Sequence, residues 1–244
     1  MKIIVAYFLA ALMIANNALA LATCTLCENK KLMVLSPQTI SNFIKKNARW
    51  HLEKTESNQQ FVCSEPCNFI DAARIINCIA TIAETQQHHP DIIVTQESIT
   101  ISIYTHSQNA LTGKDIAFVT AVEKELKNIA LTPSSLDKKI SKESVEQRCS
   151  AQELTTFLAE NQFWRLAPDS SALQFSYDTP NFTNIAHALE QCLQLETINA
   201  QIVEVLLSYG TCSVTLRSSN NYISTDTLAQ AQECQRIFDH FIAQ

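Results

Sequence analysis

The sequence contains only two glycines, Gly113 and Gly210, among its 244 residues. The two common phosphate-binding loops need several glycines within a few positions of each other, because the backbone must approach the phosphate closely. These two glycines lie far apart in the chain. The sequence therefore excludes nucleotide binding through a glycine-rich loop of either type.

Basic residues are also scarce. The chain has 18 lysines and arginines against 24 acidic residues, a formal net charge of −6, and no basic stripe. Proteins that bind nucleic acid mainly through phosphate contacts concentrate lysine and arginine on one surface. We therefore expect no nucleic-acid partner.

What is present fits an ordinary folded protein. Hydrophobic residues make up 46% of the chain and charged residues 17%. A chain of 244 residues is long enough for one large domain or two small ones.

The N-terminus has the pattern of an export signal. Lys2 precedes an apolar run over residues 3–15, and Ala18 and Ala20 suit positions −3 and −1 of a cleavage site. The apolar run is too short to span a bilayer comfortably, which argues against a membrane anchor. We predict a signal peptide over residues 1–20, no membrane span after cleavage, and a periplasmic or secreted protein. Lipid attachment at Cys24 is disfavoured, because Thr23 is a poor residue before such a cysteine.

Nine cysteines favour an oxidising compartment, where disulfides persist. The first four form two close pairs, which predicts disulfides within or between the pairs, with zinc binding as the alternative. Because nine is odd, at least one thiol is left free, intermolecular or lipidated. The cysteines are Cys24, Cys27, Cys63, Cys67, Cys78, Cys149, Cys192, Cys212 and Cys234.

Similar segments recur in the same order in the two halves of the chain. Trp50 and Trp164 lie 114 positions apart, and Phe69 and Phe182 lie 113 apart. We predict two tandem repeats, at 31–130 and 149–244, joined by a polar linker at 131–148.

Each repeat is predicted to be an α-β-β-α-β-β-α unit. Ser36-Pro37 is typical of a helix start. Apolar residues at helical spacing predict a long helix over 68–86, and Thr112 with Asp115 predicts a capping box at the last helix of the first repeat. The predicted fold class is α+β, with an antiparallel four-stranded sheet and helices on one face in each unit.

A group of histidines and acids in the first repeat has specific spacing. His106 follows His88 by eighteen positions, and Asp115 follows His106 by nine. Together with the order of elements, this pattern resembles the pterin-4a-carbinolamine dehydratase family, also known as the dimerisation cofactor of a homeodomain factor. The positions that carry the resemblance are Glu84, His88, His89, Pro90, Thr105, His106, Leu111, Thr112 and Asp115.

The resemblance implies elimination of water from a 4a-hydroxytetrahydropterin, with a reduced pterin as substrate and no metal or organic cofactor. It implies that His88, His89 and His106 are the acid, base and substrate-positioning groups, with their roles left open. Histidine suits this chemistry because it titrates near neutrality. The resemblance also implies three substrate-binding residues, Glu84, Pro90 and Asp115. Of these, Asp115 would orient His106 or hold the site, and Glu84 would lie on the same helix face as His88.

The sequence departs from the family pattern in two places. Ile92 stands where the family usually has an aromatic residue, which predicts an altered wall of the pterin pocket. The second repeat has no histidines at the matching positions, reading NAQIV over 199–203 and RSS over 217–219. We therefore predict a single site, in the first repeat, and a second repeat that acts as a built-in structural partner.

Other interpretations stay open from sequence alone. His88-His89-Pro90 can simply end a helix, since proline disfavours helical geometry in the residue before it. The protein can be a non-catalytic pterin-binding or interaction module on the same fold, or a cysteine-based redox or metal protein. Its assembly can be a pseudo-dimer within the chain or a homo-oligomer.

Overall fold

The computed structural model describes residues 32–132, 147–178, 181–195, 202–208, 210–217 and 222–242. The predicted signal peptide, the close pair Cys24 and Cys27, and most of the predicted linker lie outside these ranges. The described helices include none that is long and apolar enough to cross a membrane.

The first half contains three helices and four strands within the described residues. Ser36 caps the first helix by accepting a hydrogen bond from the Thr39 N–H at 3.2 Å, and Asn68 caps the second through the Asp71 N–H at 2.9 Å. The elements are α1 (Pro37–Lys46), β1 (Trp50–Lys54), β2 (Gln59–Pro66), α2 (Phe69–Gln86), β3 (Asp91–Val94), β4 (Ser98–Ile103) and α3 (Gly113–Leu126).

The described part of the second half has the same order of elements. Ser150 and Glu153 form a capping box at its first helix, and Asn181 caps the second. The elements are α4 (Ala151–Glu160), β5 (Trp164–Leu166), β6 (Ala172–Asp178), α5 (Phe182–Gln194), β7 (Ile202–Ser208), β8 (Thr211–Arg217) and α6 (Thr225–Ile242). The predicted repeat boundaries and common origin of the halves stay predictions.

The strands form one antiparallel sheet in the order β1-β2-β4-β3-β7-β8-β6-β5. The α+β class and the antiparallel pairing are therefore confirmed. The sequence suggested a four-stranded sheet in each half, whereas the structure has one eight-stranded sheet. The difference arises because β3 would otherwise be an edge strand with unpaired backbone groups, and it pairs with β7 instead.

Alternation along the strands separates the two faces of the sheet. In β4, Ile99, Ile101 and Ile103 are buried, whereas the intervening serine and threonine residues are half-buried. This period-two pattern places the apolar side chains under the helices and the polar ones on the other face.

The two halves meet along a seam formed by β3, β7, α2 and α5. At its centre Ile93 pairs with Leu206, and the Asn77 amide donates to Glu190 Oε2 at 2.6 Å across 113 positions of sequence. Ile93 and Leu206 differ by the same number of positions. Corresponding residues of two similar halves contact each other in this way where they lie on a local two-fold axis.

The disulfide prediction is wrong for the cysteines that the structure describes, since all seven are free thiols. Cys63 lies within β2 and faces the helices, which separates it from Cys67 beyond the strand end. Burial raises the pKa of Cys63 to about 12 and that of Cys67 to about 11. Such thiols are poorly suited to zinc, because the thiolate is the form that binds the metal.

Two buried tryptophans show how the halves differ in detail. Trp50 Nε1 donates to Glu123 Oε1 at 3.0 Å, whereas Trp164 Nε1 and Gln235 Oε1 have no hydrogen-bond partner within the described structure. Glu123 and Gln235 each lie eleven positions after the hydroxyl residue that precedes their helix. The first half thus keeps a buried hydrogen bond that its counterpart lacks.

We expect Glu123→Ala to lower the free energy of unfolding by about 2 kcal/mol, because the buried Trp50 N–H loses its acceptor. Gln235→Ala should cost less, since the Trp164 N–H has no such bond to lose. Urea denaturation of the two variants and the wild type measures the difference. Equal losses of stability would contradict this explanation.

Candidate active site

The histidine pair lies where α2 turns into β3. Gln87 adopts a left-handed conformation with φ 48°, and the His88 N–H bonds to the Ala83 carbonyl at 3.1 Å, so the helix ends here. Pro90 is buried and β3 begins at the next residue. The interpretation of this segment as a helix end is therefore right, and the same turn directs the two imidazoles to different neighbours.

His88 is the buried member of the pair, with 7% of its surface exposed. Its Nε2 lies 2.7 Å from Asp115 Oδ1, and its ring meets Phe118 edge-on at a centroid distance of 6.0 Å. Asp115 also forms the predicted capping box of α3 with Thr112, and the structure confirms this capping box. Asp115 therefore caps α3 and also contacts His88.

The Asp115 carboxylate is fully buried and accepts hydrogen bonds from three directions. Its Oδ2 accepts from the Thr112 N–H at 2.6 Å and from the Thr105 hydroxyl at 2.8 Å. The Thr112 hydroxyl accepts from the Lys114 N–H at 3.2 Å and lies 2.8 Å from the Thr105 hydroxyl, to which it can donate. With these donors in place, the carboxylate can only accept from His88, which puts a proton on Nε2 of that ring.

His89 pairs with a different acid. Its Nε2 lies 3.1 Å from Glu84 Oε1, and its side chain is 9% exposed. The sequence placed Glu84 on the face of His88, which is wrong because the helix ends at Gln86. The left-handed Gln87 breaks the four-residue spacing and brings the next histidine to Glu84 instead.

A residue of the second half completes the surroundings of His89. The ring of Phe182, the first residue of α5, lies with its centroid 5.4 Å from that of His89 and tilted by 60°. The sequence matched Phe182 with Phe69 only as corresponding positions of the two repeats. The contact of Phe182 with His89 depends on the pairing of the halves, which the spacing alone does not reveal.

His106 is the exposed histidine, in a short 3-10 turn over His106–Gln108 that follows β4. Its ring lies 4.1 Å from that of Tyr104, with an angle of 34° between the planes. Asp115 reaches the preceding Thr105 rather than His106, so the predicted orienting of His106 by Asp115 is not direct. The reason is that Thr105 points inward and His106 outward at the start of the turn.

Tyr104 was missed by the sequence reasoning. Partial burial raises the pKa of its phenol, the Asp91 carboxylate raises it further, and a hydrogen bond with Asn58 opposes both. The charge of Asp91, at the start of β3, therefore acts on the phenol that packs against the exposed histidine. An aromatic residue directly before Thr-His is a signal that could have been noticed.

Ile92, expected to alter a pocket wall, is fully buried in the core instead. It pairs with Ile101 on one side and Leu207 on the other. The strand alternation turns it toward the helices, so it lines no open surface.

A cleft of about 390 Å³ lies beside the turn that carries His106. It is bordered by the β1–β2 connection and by Asn109, Ala110 and Leu111, and none of the three histidines lines it. Within the described residues no cluster of three histidine, cysteine or acidic side chains could hold a metal ion. The second-half segment 199–203 lies mostly outside the described residues, as do Ser218 and Ser219 of the other matching segment.

Comparison with known proteins shows which family the first half resembles. A sequence-family model described as pterin 4 alpha carbinolamine dehydratase matches residues 33–125. Two relatives provisionally assigned as pterin-4-alpha-carbinolamine dehydratases are each 30% identical. The protein from Trichodesmium erythraeum matches over 89 residues, 36% of this chain and 92% of its own length. The one from Chloroflexus aggregans matches over 92 residues, 38% of this chain and 96% of its own length.

A solved structure from Brucella melitensis, described as a transcriptional coactivator/pterin dehydratase, is 20% identical with a TM-score of 0.35. It matches 38% of this chain and 97% of its own length. The family assignment comes from the sequence relatives, which the chain covers almost completely. Through residues 33–125, this chain belongs to the pterin-4a-carbinolamine dehydratase family.

Proposed function

We propose that the first half eliminates water from a 4a-hydroxytetrahydropterin by histidine acid–base catalysis. The observation that carries this proposal is the set of buried hydrogen bonds around His88 and Asp115, within the segment that matches the family. A buried carboxylate whose oxygens all accept hydrogen bonds fixes the position of the histidine that bonds to it. The neighbouring histidines then occupy defined positions relative to that ring.

The reaction needs two proton transfers. The bond between ring carbon 4a and the hydroxyl oxygen breaks, a proton joins the departing oxygen to form water, and a ring nitrogen gives up a proton to form the quinonoid dihydropterin. Imidazole can serve as donor or acceptor near neutral pH. No metal or organic cofactor is needed for this step.

The surroundings of the histidines suggest how the work is divided. His88 has Nε2 committed to Asp115, so we assign it to positioning the substrate. His89 is oriented by Glu84, and His106 is exposed on the stacked ring of Tyr104. We assign the two proton transfers to His89 and His106, with Pro90 holding the turn between His89 and β3.

We also propose that the second half serves as a built-in partner of the first. The contacts of Asn77 with Glu190 and of Ile93 with Leu206 support a pseudo-dimer within the chain. Such a contact buries the β3 edge without a second copy of the protein.

A non-catalytic pterin-binding or protein-interaction module is the second candidate. It is favoured by one observation, that the cleft beside the turn carrying His106 is not lined by any of the three histidines. Titration with a reduced pterin separates the candidates. Binding without turnover indicates a carrier, and no binding indicates a protein-interaction role.

The catalytic proposal predicts that the purified protein starting at Leu21 forms quinonoid dihydropterin faster than buffer does. His89→Ala should lower kcat by about a hundredfold or more, because it removes one positioned proton-transfer group. His187→Ala is the matched control, since that histidine lies in α5 beside Phe241. A wild-type rate equal to that of buffer would refute the proposal.

A second prediction concerns the tautomer of His88. In Asp115→Asn the amide oxygen must face the two donors, Thr112 and Thr105, which leaves the NH₂ group facing His88. The neutral His88 ring must then accept at Nε2 and carry its proton on Nδ1. We expect a switch of the His88 ¹⁵N shifts and a loss of about 1 kcal/mol of stability. Asp71→Asn removes another buried acid at a helix start and should leave the His88 shifts unchanged. Unaltered His88 shifts in Asp115→Asn would contradict the assignment.

Export is likewise a proposal, supported by the sequence of residues 1–20. Expression of the full chain in a bacterium should yield a periplasmic protein whose intact mass corresponds to a start at Leu21. A chain with Ala18 and Ala20 replaced by arginine should keep its full length, because cleavage needs small residues at those positions. A full-length cytosolic product from the unaltered chain would contradict export.

A further inference from the structure

The His89 ring is held between groups from both halves of the chain. Glu84 from α2 bonds to Nε2 at 3.1 Å, and Phe182 from α5 packs on the ring at 5.4 Å between centroids. The His89 side chain is 9% exposed and Phe182 is 3% exposed, so water has little access between them. Aromatic rings at this distance and tilt make a favourable contact with a defined orientation.

Phe182 is itself held in place firmly. It is the first residue of α5, directly after the capping residue Asn181, which accepts a hydrogen bond from the Asn184 N–H at 3.0 Å. A side chain at a capped helix start moves little, because the backbone on both sides of it is constrained. The second half therefore presents a rigid aromatic wall to His89.

The same seam also anchors the residue two positions after His89. Ser208, the last residue of β7, donates its hydroxyl hydrogen to Asp91 Oδ1. This contact follows from the register, since Ile92 pairs with Leu207 and Asp91 therefore lies opposite Ser208. The second half thus contacts the chain at His89 and again at Asp91.

We infer that Phe182 is a positioning residue for His89 in the dehydration. Ser208 supports the same segment through Asp91, so the second half completes the active site of the first. This inference rests on the proposed function. Rotation of the His89 ring would move Nε2 away from Glu84 and drive the ring against Phe182. The wall therefore keeps His89 in the orientation in which the Glu84 hydrogen bond forms and the proton transfer is aligned.

The inference gives the second half a role that its lack of histidines at the matching positions does not suggest. It contributes no proton-transfer group, and it acts on the chemistry through the orientation of one ring. The site of the first half is then incomplete without a residue from more than ninety positions further along the chain.

The test compares Phe182→Leu with Phe69→Leu. Phe69 is the first residue of α2, follows a capping asparagine and is 2% exposed, so the two changes remove the same ring from equivalent and equally buried places. We expect similar shifts in Tm for both. Only Phe182→Leu should lower kcat, by about tenfold to a hundredfold, with KM changed less than threefold. Phe182→Tyr, which keeps the ring, should retain most of the wild-type kcat.

The His89 side-chain ¹H–¹⁵N resonances provide a readout that does not depend on turnover. They should shift or broaden in Phe182→Leu and stay as in the wild type in Phe69→Leu. Ser208→Ala leaves the core volume nearly unchanged and should shift them in the same direction by a smaller amount, which keeps the test usable if Phe182→Leu does not fold.

The outcomes separate the two claims. A wild-type protein without dehydratase activity overturns the proposed function. Unchanged His89 resonances in both Phe182→Leu and Ser208→Ala, or equal kcat values for the two leucine variants, overturn the positioning role of Phe182.

Discussion

A buried carboxylate determines how the parts of the candidate site come together. Asp115 accepts hydrogen bonds from His88 after α2, from the Thr105 hydroxyl after β4 and from the Thr112 N–H at the start of α3. An unpaired buried carboxylate would cost several kcal/mol, and these donors together offset that cost. One side chain thereby ties three separate segments of the first half to each other.

The second constraint is the seam between the halves. Its backbone pairing fixes which residue of β7 lies opposite each residue of β3, and so it places Ser208 at Asp91. The helices above follow the same arrangement, and their packing sets Phe182 against His89. Buried hydrogen bonds on one side and a buried ring on the other therefore confine the His88-His89 turn from both halves of the chain.

The sequence predicted what depends on local chemistry. The helix starts at Ser36-Pro37 and at Thr112, and the spacing of the histidines, depend on interactions within a few positions or on one family pattern. It failed where geometry depends on one conformational choice or on distant pairing. Because Gln87 is left-handed, Glu84 bonds to His89 rather than to His88. The contacts across the seam require the sheet register, which no local pattern encodes.

The free cysteines fit the same reasoning. The described cysteine side chains are mostly buried, and burial raises the pKa values of Cys63, Cys67 and Cys212, as expected for thiols that serve as small apolar side chains. Within the described residues, stability then comes from the core rather than from disulfides. Much of that core lies at the seam, where Ile92 and Val94 pack with Val205 and Leu207. Removing the second half would expose these residues together with the β3 edge, so the first half depends on the second for part of its packing.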